Sequence, residues 1–348
     1  MPSASAPVRS TVLVARLDND GDVLLAGPAI RAVAAGAARV VLLCGPRGRQ
    51  AADLLPGVDE VLVWRAPWID PEPDPVDPDD LAGLVRRLGA LGIDEAVVFT
   101  SFHQSPLPLA LLLRQAGVGR ISAISVDYPG SLLDVRHLVD DDLPEPERAL
   151  SLAAAAGFRL PPSDDGVLAV RRPLPDLPAH AASLTDGGYV VLHPGVTAAA
   201  RAWPAERFAR LAQLLTARGE RVVVTGAPSE RDLTAVVAGR VALDLGGRTS
   251  LAELAAVLDL ARAVVVANTG PAHLAAAVGT PVVSLFAPVV PAARWRPYRV
   301  THVLLGDQQA PCRDTRARQC PVPGHPCLTS VSAEDVIAAV DTLAGVAA

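Results

Sequence analysis

Short apolar runs and longer mixed stretches alternate along most of the chain. Residues 12–15 and 40–44 are apolar and rich in β-branched side chains, and between them residues 23–35 carry Leu24, Pro28, Ile30 and Val33 at mixed helical spacings. The pattern predicts a strand, a loop, a helix and a second strand. Strands are predicted again at 60–63, 96–100 and 121–124, with helices at 80–91 and 107–115. Alternation of this kind argues for a parallel sheet covered on both faces, because each parallel connection must cross over and its helix hides the sheet. The stretch 67–80 is crowded with Pro and Asp and reads as a loop or flap.

Residues 170–188 are rich in Pro, Asp, Ser and Gly, and the linker between two domains is expected there. The alternation then restarts, with strands at 189–193, 221–225, 242–244, 263–267 and 282–286 and helices at 204–218, 230–238, 251–260 and 271–278. A last helix, 333–343, begins after Ser332, a capping residue with Asp335 three positions on. The expected class is α/β with two Rossmann-like lobes, one over residues 1–175 and one over 188–330, followed by a C-terminal helix over 331–348.

Composition narrows the picture. A chain of 348 residues is long enough for two cores, and two lobes leave room for a cleft. The formal net charge of −6 gives no broad cationic surface, so nucleic acid is not an expected partner. The longest apolar runs, such as 263–267 and 282–286, are far too short to cross a bilayer, and residues 1–8 lack the basic start and apolar core of a secretory signal. A cytoplasmic protein without a transmembrane segment is expected. All 31 basic side chains are arginine, so any cation that grips a phosphate must be one too. Four cysteines in a chain with no sign of export do not predict structural disulfides.

Three loops between strand and helix carry candidate chemistry. The first is Arg16-Leu17-Asp18-Asn19-Asp20-Gly21-Asp22. Ligands of open α/β sheets bind beyond the carboxyl ends of the strands, so this loop should face a ligand. Asp22 stands where a helix begins and suits capping as well as general-base work; three acids in five residues exceed what capping needs. The second loop opens with His193-Pro194-Gly195 and runs through Thr197 and Arg201 to Trp203-Pro204. A glycine, a cation and a following helix are a recurring solution to binding phosphate. The third is Asn268-Thr269-Gly270-Pro271-Ala272-His273, where the helix start can donate to a diphosphate and Asn268 to a ribose or sugar hydroxyl. His273, one turn in, is directed back toward the same phosphate.

Together these residues resemble glycosyltransferase family nine, the ADP-heptose:lipopolysaccharide heptosyltransferases. The resemblance rests on Arg-Leu-Asp-Asn-x-Gly-Asp near the start, His-Pro-Gly and Trp-Pro in the middle, and Thr-Gly-Pro-x-His-Leu-Ala-Ala-Ala-x-Gly-Thr-Pro near residue 280. It implies a GT-B fold and an inverting, metal-independent transfer that uses an ADP-activated heptose as substrate and needs no cofactor. It further implies that Asp22 is the catalytic base. Thr197, Arg201, Thr269, Gly270 and His273 would hold the diphosphate, and Glu230 the adenosine ribose. Arg201 stands where the family usually has a lysine, and Asn268 where many members have an aspartate.

An acceptor, either a glycan or a small molecule, is expected on the N-terminal lobe, with His103 and Asp127 as its candidate contacts on loops that follow predicted strands. Cys312, Cys320, Cys327 and His325 lie close in sequence, but their spacing lacks the Cys-x-x-Cys pairs typical of zinc sites, so a structural loop is expected and no metal. Two other readings remain open at this point: the same fold with a UDP- or GDP-sugar donor, and a nucleotide-sugar-binding protein without catalysis.

Overall fold

A computed structural model describes residues 10–70, 72–140 and 142–346, so residues 1–8, for which no secretory signal is expected, lie outside the described residues. The chain forms two compact units that divide between Val167 and Leu168. Residues 170–188, expected as the linker, belong with the second unit.

In the first unit the order of elements is β1 (Thr11–Arg16), α1 (Asp20–Leu25), α2 (Gly27–Gly36), β2 (Arg39–Cys44), α3 (Arg49–Leu54), β3 (Glu60–Val63), α4 (Pro78–Ala90), β4 (Glu95–Val98), α5 (Leu107–Gln115), β5 (Arg120–Ile124), β6 (Val135–His137) and α6 (Glu145–Ala156). The strands form one parallel sheet in the order β3-β2-β1-β4-β5-β6. β1 and β4 are therefore neighbours although four helices and two strands separate them in sequence, and their loops leave the sheet side by side. The single helix expected over 23–35 is two helices. Pro28 lacks an N–H and its ring crowds the carbonyl four residues back, so a new helix starts at Gly27.

The second unit continues with β7 (Tyr189–His193), α7 (Ala205–Ala217), β8 (Val222–Val224), α8 (Arg231–Ala238), β9 (Leu243–Asp244), α9 (Leu251–Asp259), β10 (Ala261–Ala267), α10 (Gly270–Val278), β11 (Val282–Leu285), α11 (Ala292–Trp295), β12 (His302–Leu305), α12 (Pro326–Thr329) and α13 (Ala333–Val346). Its sheet is also fully parallel, ordered β12-β11-β10-β7-β8-β9. Read from β9, this is the same order as the first sheet. Both units are Rossmann-like, and in each the order reverses direction between the first and fourth strands, where such sheets take their ligands.

Each unit has its own apolar core. In the first, Leu13, Ala15, Leu43, Val98 and Ile121 of the sheet pack against Leu84 and Leu88 of α4 and Leu109 and Leu113 of α5. In the second, Val190, Leu192, Val265 and Val283 meet Phe208 and Leu211 of α7 and Val336, Val340 and Leu343 of α13. The C-terminal helix thus belongs to the second core. Cys312 and Cys327 are buried in the same core, thiol against thiol, with Cys320 packed nearby. Burial, with Cys312 next in importance, pushes the Cys327 thiol up to about 12. His325 is turned to the Ala200 carbonyl, and among the described residues no group of three His, Cys, Asp or Glu side chains is arranged to hold a metal ion. No described helix is long and apolar enough to cross a membrane.

Candidate active site

In the second unit, β7 and β10 are adjacent, so the loops after His193 and Ala267 emerge together at the reversal of strand order. Arg201 bridges them: its Nη1 donates to the Asn268 carbonyl at 3.0 Å. His273, in the first turn of α10, is buried, and burial followed by the nearby Arg201 charge lowers its pKa to about 4. It is thus neutral at pH 7. Its Nδ1 is buried and has no hydrogen-bond partner among the described residues. Thr269 occupies the N-cap of α10 in an extended conformation without capping the helix through its side chain, so the Gly270 N–H stays directed out of the helix end, whereas Pro271 has no N–H and that of Ala272 donates to the Thr269 carbonyl at 3.0 Å.

The His-Pro-Gly turn is fixed from two sides. His193 Nδ1 meets Thr225 Oγ1 at 2.9 Å across β7 and β8, and burial lowers the imidazole to about 4. Glu230 accepts from the Ala227 N–H at 2.8 Å, and its carboxylate occupies the space that a Cβ on residue 195 would take. Only glycine at 195 lets the carboxylate approach this closely. Arg201, Glu230, Thr269, Gly270 and His273 therefore border one edge of the sheet. Thr197 lies on the same loop, exposed, and no side-chain hydrogen bond ties it to the others among the described residues. Asn268 departs from expectation: its side chain is buried and faces the Ala287 backbone, donating to the carbonyl and accepting from the N–H, each at 3.4 Å. These weak bonds hold the turns after β10 and β11 together.

In the first unit, β1 ends on a buried arginine, and the loop after it packs against the loop after β4. Arg16 Nη2 donates to Asp22 Oδ1 at 3.0 Å and to Ser101 Oγ at 2.8 Å. Asp18 lies 2.9 Å from Arg16 Nε, off the N–H direction, and accepts from Gln104 Nε2. Asp20 points elsewhere and accepts from the Ala51 N–H of α3 at 2.9 Å. Burial, opposed by that N–H, raises the Asp20 carboxyl to about 6. The three acids of the loop thus have three different environments, and Asp22, the third residue of α1, is the one in the helix that faces Arg16. His103 is exposed, edge-on to Phe102 and electrostatically coupled to Asp18. Asp127 is exposed on the loop after β5, and among the described residues no hydrogen bond or ion pair joins its carboxylate to this cluster.

The family model described as glycosyltransferase family 9 (heptosyltransferase) matches residues 104–325, more than half of the chain and nearly all of the second unit's sheet. The chain belongs to glycosyltransferase family 9.

Relatives within this family agree. Lipopolysaccharide heptosyltransferase 3 of Escherichia coli is 34% identical over 166 residues, which cover 44% of this chain and 46% of that protein. Lipopolysaccharide heptosyltransferase 1 of Pseudomonas aeruginosa is 39% identical over 109 residues, 30% of each chain. The matched stretches span less than half the length of these relatives. Solved structures extend the likeness in fold to nearly the whole chain. A family 9 glycosyl transferase from Veillonella parvula has a TM-score of 0.78 at 18% identity, covering 96% of this chain and 97% of its own. An Escherichia coli heptosyltransferase with ADP-2-deoxy-2-fluoro heptose has a TM-score of 0.72 at 22% identity, covering 95% and 99%. The fold class is therefore the GT-B type, with two parallel six-stranded α/β units.

Several residues of this family 9 chain are invisible as site residues in its sequence. Ser101 and Glu145 meet Arg16, with Gln104 on Asp18 and Arg148 beside Glu145, only because the loop after β4 and the start of α6 come together at the end of β1. The one local signal is Arg16 itself, a charge that closes the apolar strand Val12 to Ala15 and is buried with it.

Proposed function

We propose that this family 9 chain transfers a heptose or a related sugar from an ADP-sugar to a hydroxyl group of a glycan or small-molecule acceptor, with inversion at the anomeric carbon. The observation that carries the reading is the cluster at the reversal point of the second sheet, where the Arg201 guanidinium, the neutral His273 and the Gly270 N–H at the start of α10 gather at one edge. That set suits a diphosphate: one fixed cation, one neutral imidazole able to donate a proton in a hydrogen bond, and a helix start. Thr197 and Thr269 add hydroxyl groups, and Glu230 is placed to accept from a ribose hydroxyl. Asn268 acts in this reading as the brace behind Arg201 rather than as a sugar contact.

In the first unit Asp22 is the base. Its carboxylate accepts the proton of the acceptor hydroxyl while the acceptor oxygen forms its bond to the anomeric carbon. The bond from that carbon to the terminal phosphate oxygen breaks in the same event, and the electron pair leaves with ADP. Arg201 and the Gly270 N–H at the start of α10 take up the charge that develops on the departing diphosphate. The reading routes no step through a metal ion. His103 and Asp127 stand as acceptor contacts, with His103 the better placed because it borders the cluster that contains Asp22.

The direct test is ADP release from ADP-heptose by the wild-type chain and by Asp22→Asn. Loss of about a hundredfold or more in turnover with unchanged affinity for ADP supports the assignment. Unchanged turnover in the variant rules out Asp22 as the base, and ADP-heptose left intact by the wild type in favour of a UDP- or GDP-sugar rejects the donor.

A further inference from the structure

Arg16 is as deeply placed as Glu145 and deeper than Asp18 and Asp22. Its side chain is 3% exposed, that of Glu145 3%, Asp18 10% and Asp22 20%. Each nitrogen of the guanidinium has its own acid: Nε faces Asp18 at 2.9 Å, Nη1 faces Glu145 at 3.6 Å, and Nη2 faces Asp22 at 3.0 Å. Nη2 also donates to Ser101 Oγ at 2.8 Å. Among the described residues, Asp22 Oδ2 has no hydrogen-bond partner. One oxygen of the most exposed acid is therefore pinned from inside, and the other is left to a substrate.

We propose that Arg16 is the positioning residue for Asp22: its planar fork, held in place by Ser101, Asp18 and Glu145, fixes the carboxylate with one oxygen engaged and the other presented to the acceptor hydroxyl. The inference rests on Asp22 being the base, as argued above.

The physical reason lies in the fork. A guanidinium has donors in fixed directions and cannot turn one of them without turning all, so the Ser101 hydroxyl on Nη2, together with the charges of Asp18 beside Nε and Glu145 beside Nη1, holds Nη2 toward Asp22. The anchors are themselves secured. Asp18 is held by Gln104, and Glu145 by its burial on α6 beside Arg148, which lies 3.9 Å from the same Glu145 oxygen and donates to the Thr100 carbonyl. Ser101 comes from the loop after β4, so the adjacency of β1 and β4 is built into the aim of the base.

The charges that face Asp22 also matter. From β1 comes Arg16, from its own loop Asp18, and from α6 Glu145 with Arg148 behind it; His103 from the loop after β4 faces Asp18. Burial pushes the Asp18 and Glu145 carboxyls up, against the pull of Arg16. Among the described residues Arg16 is thus the one cation in direct contact with Asp22 in an otherwise acidic group. Geometry and charge can be separated by substitution: Arg16→Lys keeps the charge and loses the fork, and Glu145→Gln removes one acid while keeping the fork and the shape.

The experiment combines the crystal structures of Arg16→Lys and Glu145→Gln with the pH profile of ADP release from ADP-heptose, measured with water as the acceptor. For Arg16→Lys, the expected result is an Asp22 carboxylate that has left the Ser101 side of its pocket, turnover lowered by about tenfold to a hundredfold, and a KM for ADP-heptose within about twofold of wild type. For Glu145→Gln, the acid limb of the profile should move to lower pH, because the same cation then serves one acid fewer. An Asp22 carboxylate unmoved in Arg16→Lys, or turnover within about twofold of wild type, overturns the proposal. So does an acid limb that stays in place in Glu145→Gln. Asp22→Asn run alongside separates the two levels: if that variant turns over normally the base is misassigned, whereas an inactive Asp22→Asn beside a normal Arg16→Lys removes only the role given to Arg16. Should Arg16→Lys fail to fold, the Glu145→Gln profile decides alone.

Discussion

Arg201 Nη1 donates to the carbonyl of Asn268 at 3.0 Å, joining residues 67 positions apart in sequence across neighbouring strands. The bond does two things at once. It closes the loop after β7 onto the loop after β10, and it takes up one guanidinium donor so that the group's orientation is fixed beside His273 and the start of α10. For Arg201→Ala, affinity for ADP is expected to fall by about tenfold to a hundredfold, the loss of a charge-assisted contact to phosphate. Isothermal titration with ADP measures it.

Asp20 offers a contrast with Asp22 on the same loop. Its folded pKa is raised from 3.8 to about 6 by burial, so the fold pays for its charge above about pH 6, and this group's contribution to stability is complete below 3.8 and lost as pH rises between the two values. Asn keeps the acceptor for the Ala51 N–H and carries no charge. Asp20→Asn should therefore raise the melting temperature at pH 8 relative to wild type and leave it nearly unchanged at pH 4, while turnover survives.

His193 and His273 give the opposite sign. Both fall from 6.5 to about 4 in the folded chain because of burial. The unfolded chain binds protons below about 6.5 that the fold accepts only near 4, so their contribution is complete above 6.5 and is lost as pH falls toward 4. Thermal melts between pH 7.5 and pH 4 should show a decline that is shallower in the double variant His193→Gln, His273→Gln.

Asn268 is a polar brace, and Asn268→Asp tests it. A carboxylate still accepts from the Ala287 N–H but cannot donate to the Ala287 carbonyl, and it brings a buried charge. The nearby Arg201 offsets part of that cost. A destabilisation of about 1–3 kcal/mol by chemical denaturation is expected, with the larger values at high pH.

Much of the fold is legible in the sequence, because both units are built from apolar strands and helices whose periods differ. What local pattern does not carry is adjacency. The loops after β1 and β7 are visible as glycine-containing links between strand and helix, but that β4 and β10 come back beside them follows from the strand order alone. Ser101 and Glu145 as partners of Arg16, and Gln104 as the partner of Asp18, therefore become visible only in three dimensions. The short strands β6, Val-Arg-His, and β12, His-Val-Leu-Leu, escape notice because three or four residues of mixed polarity fall below any periodic signal. Asn268 shows another limit. Its amide looks suited to a sugar hydroxyl, and only the position of Ala287 reveals that a backbone group has already engaged it.

The central claim is that the edge formed by Arg201, His273 and the start of α10 holds the diphosphate of an adenosine nucleotide. Titration of the wild-type chain with ADP, UDP and GDP, repeated on Arg201→Ala, addresses it most directly. The account predicts ADP binding tighter than UDP or GDP binding and clearly weakened by the substitution. Equal affinity of both chains for ADP, or a preference for UDP, contradicts it.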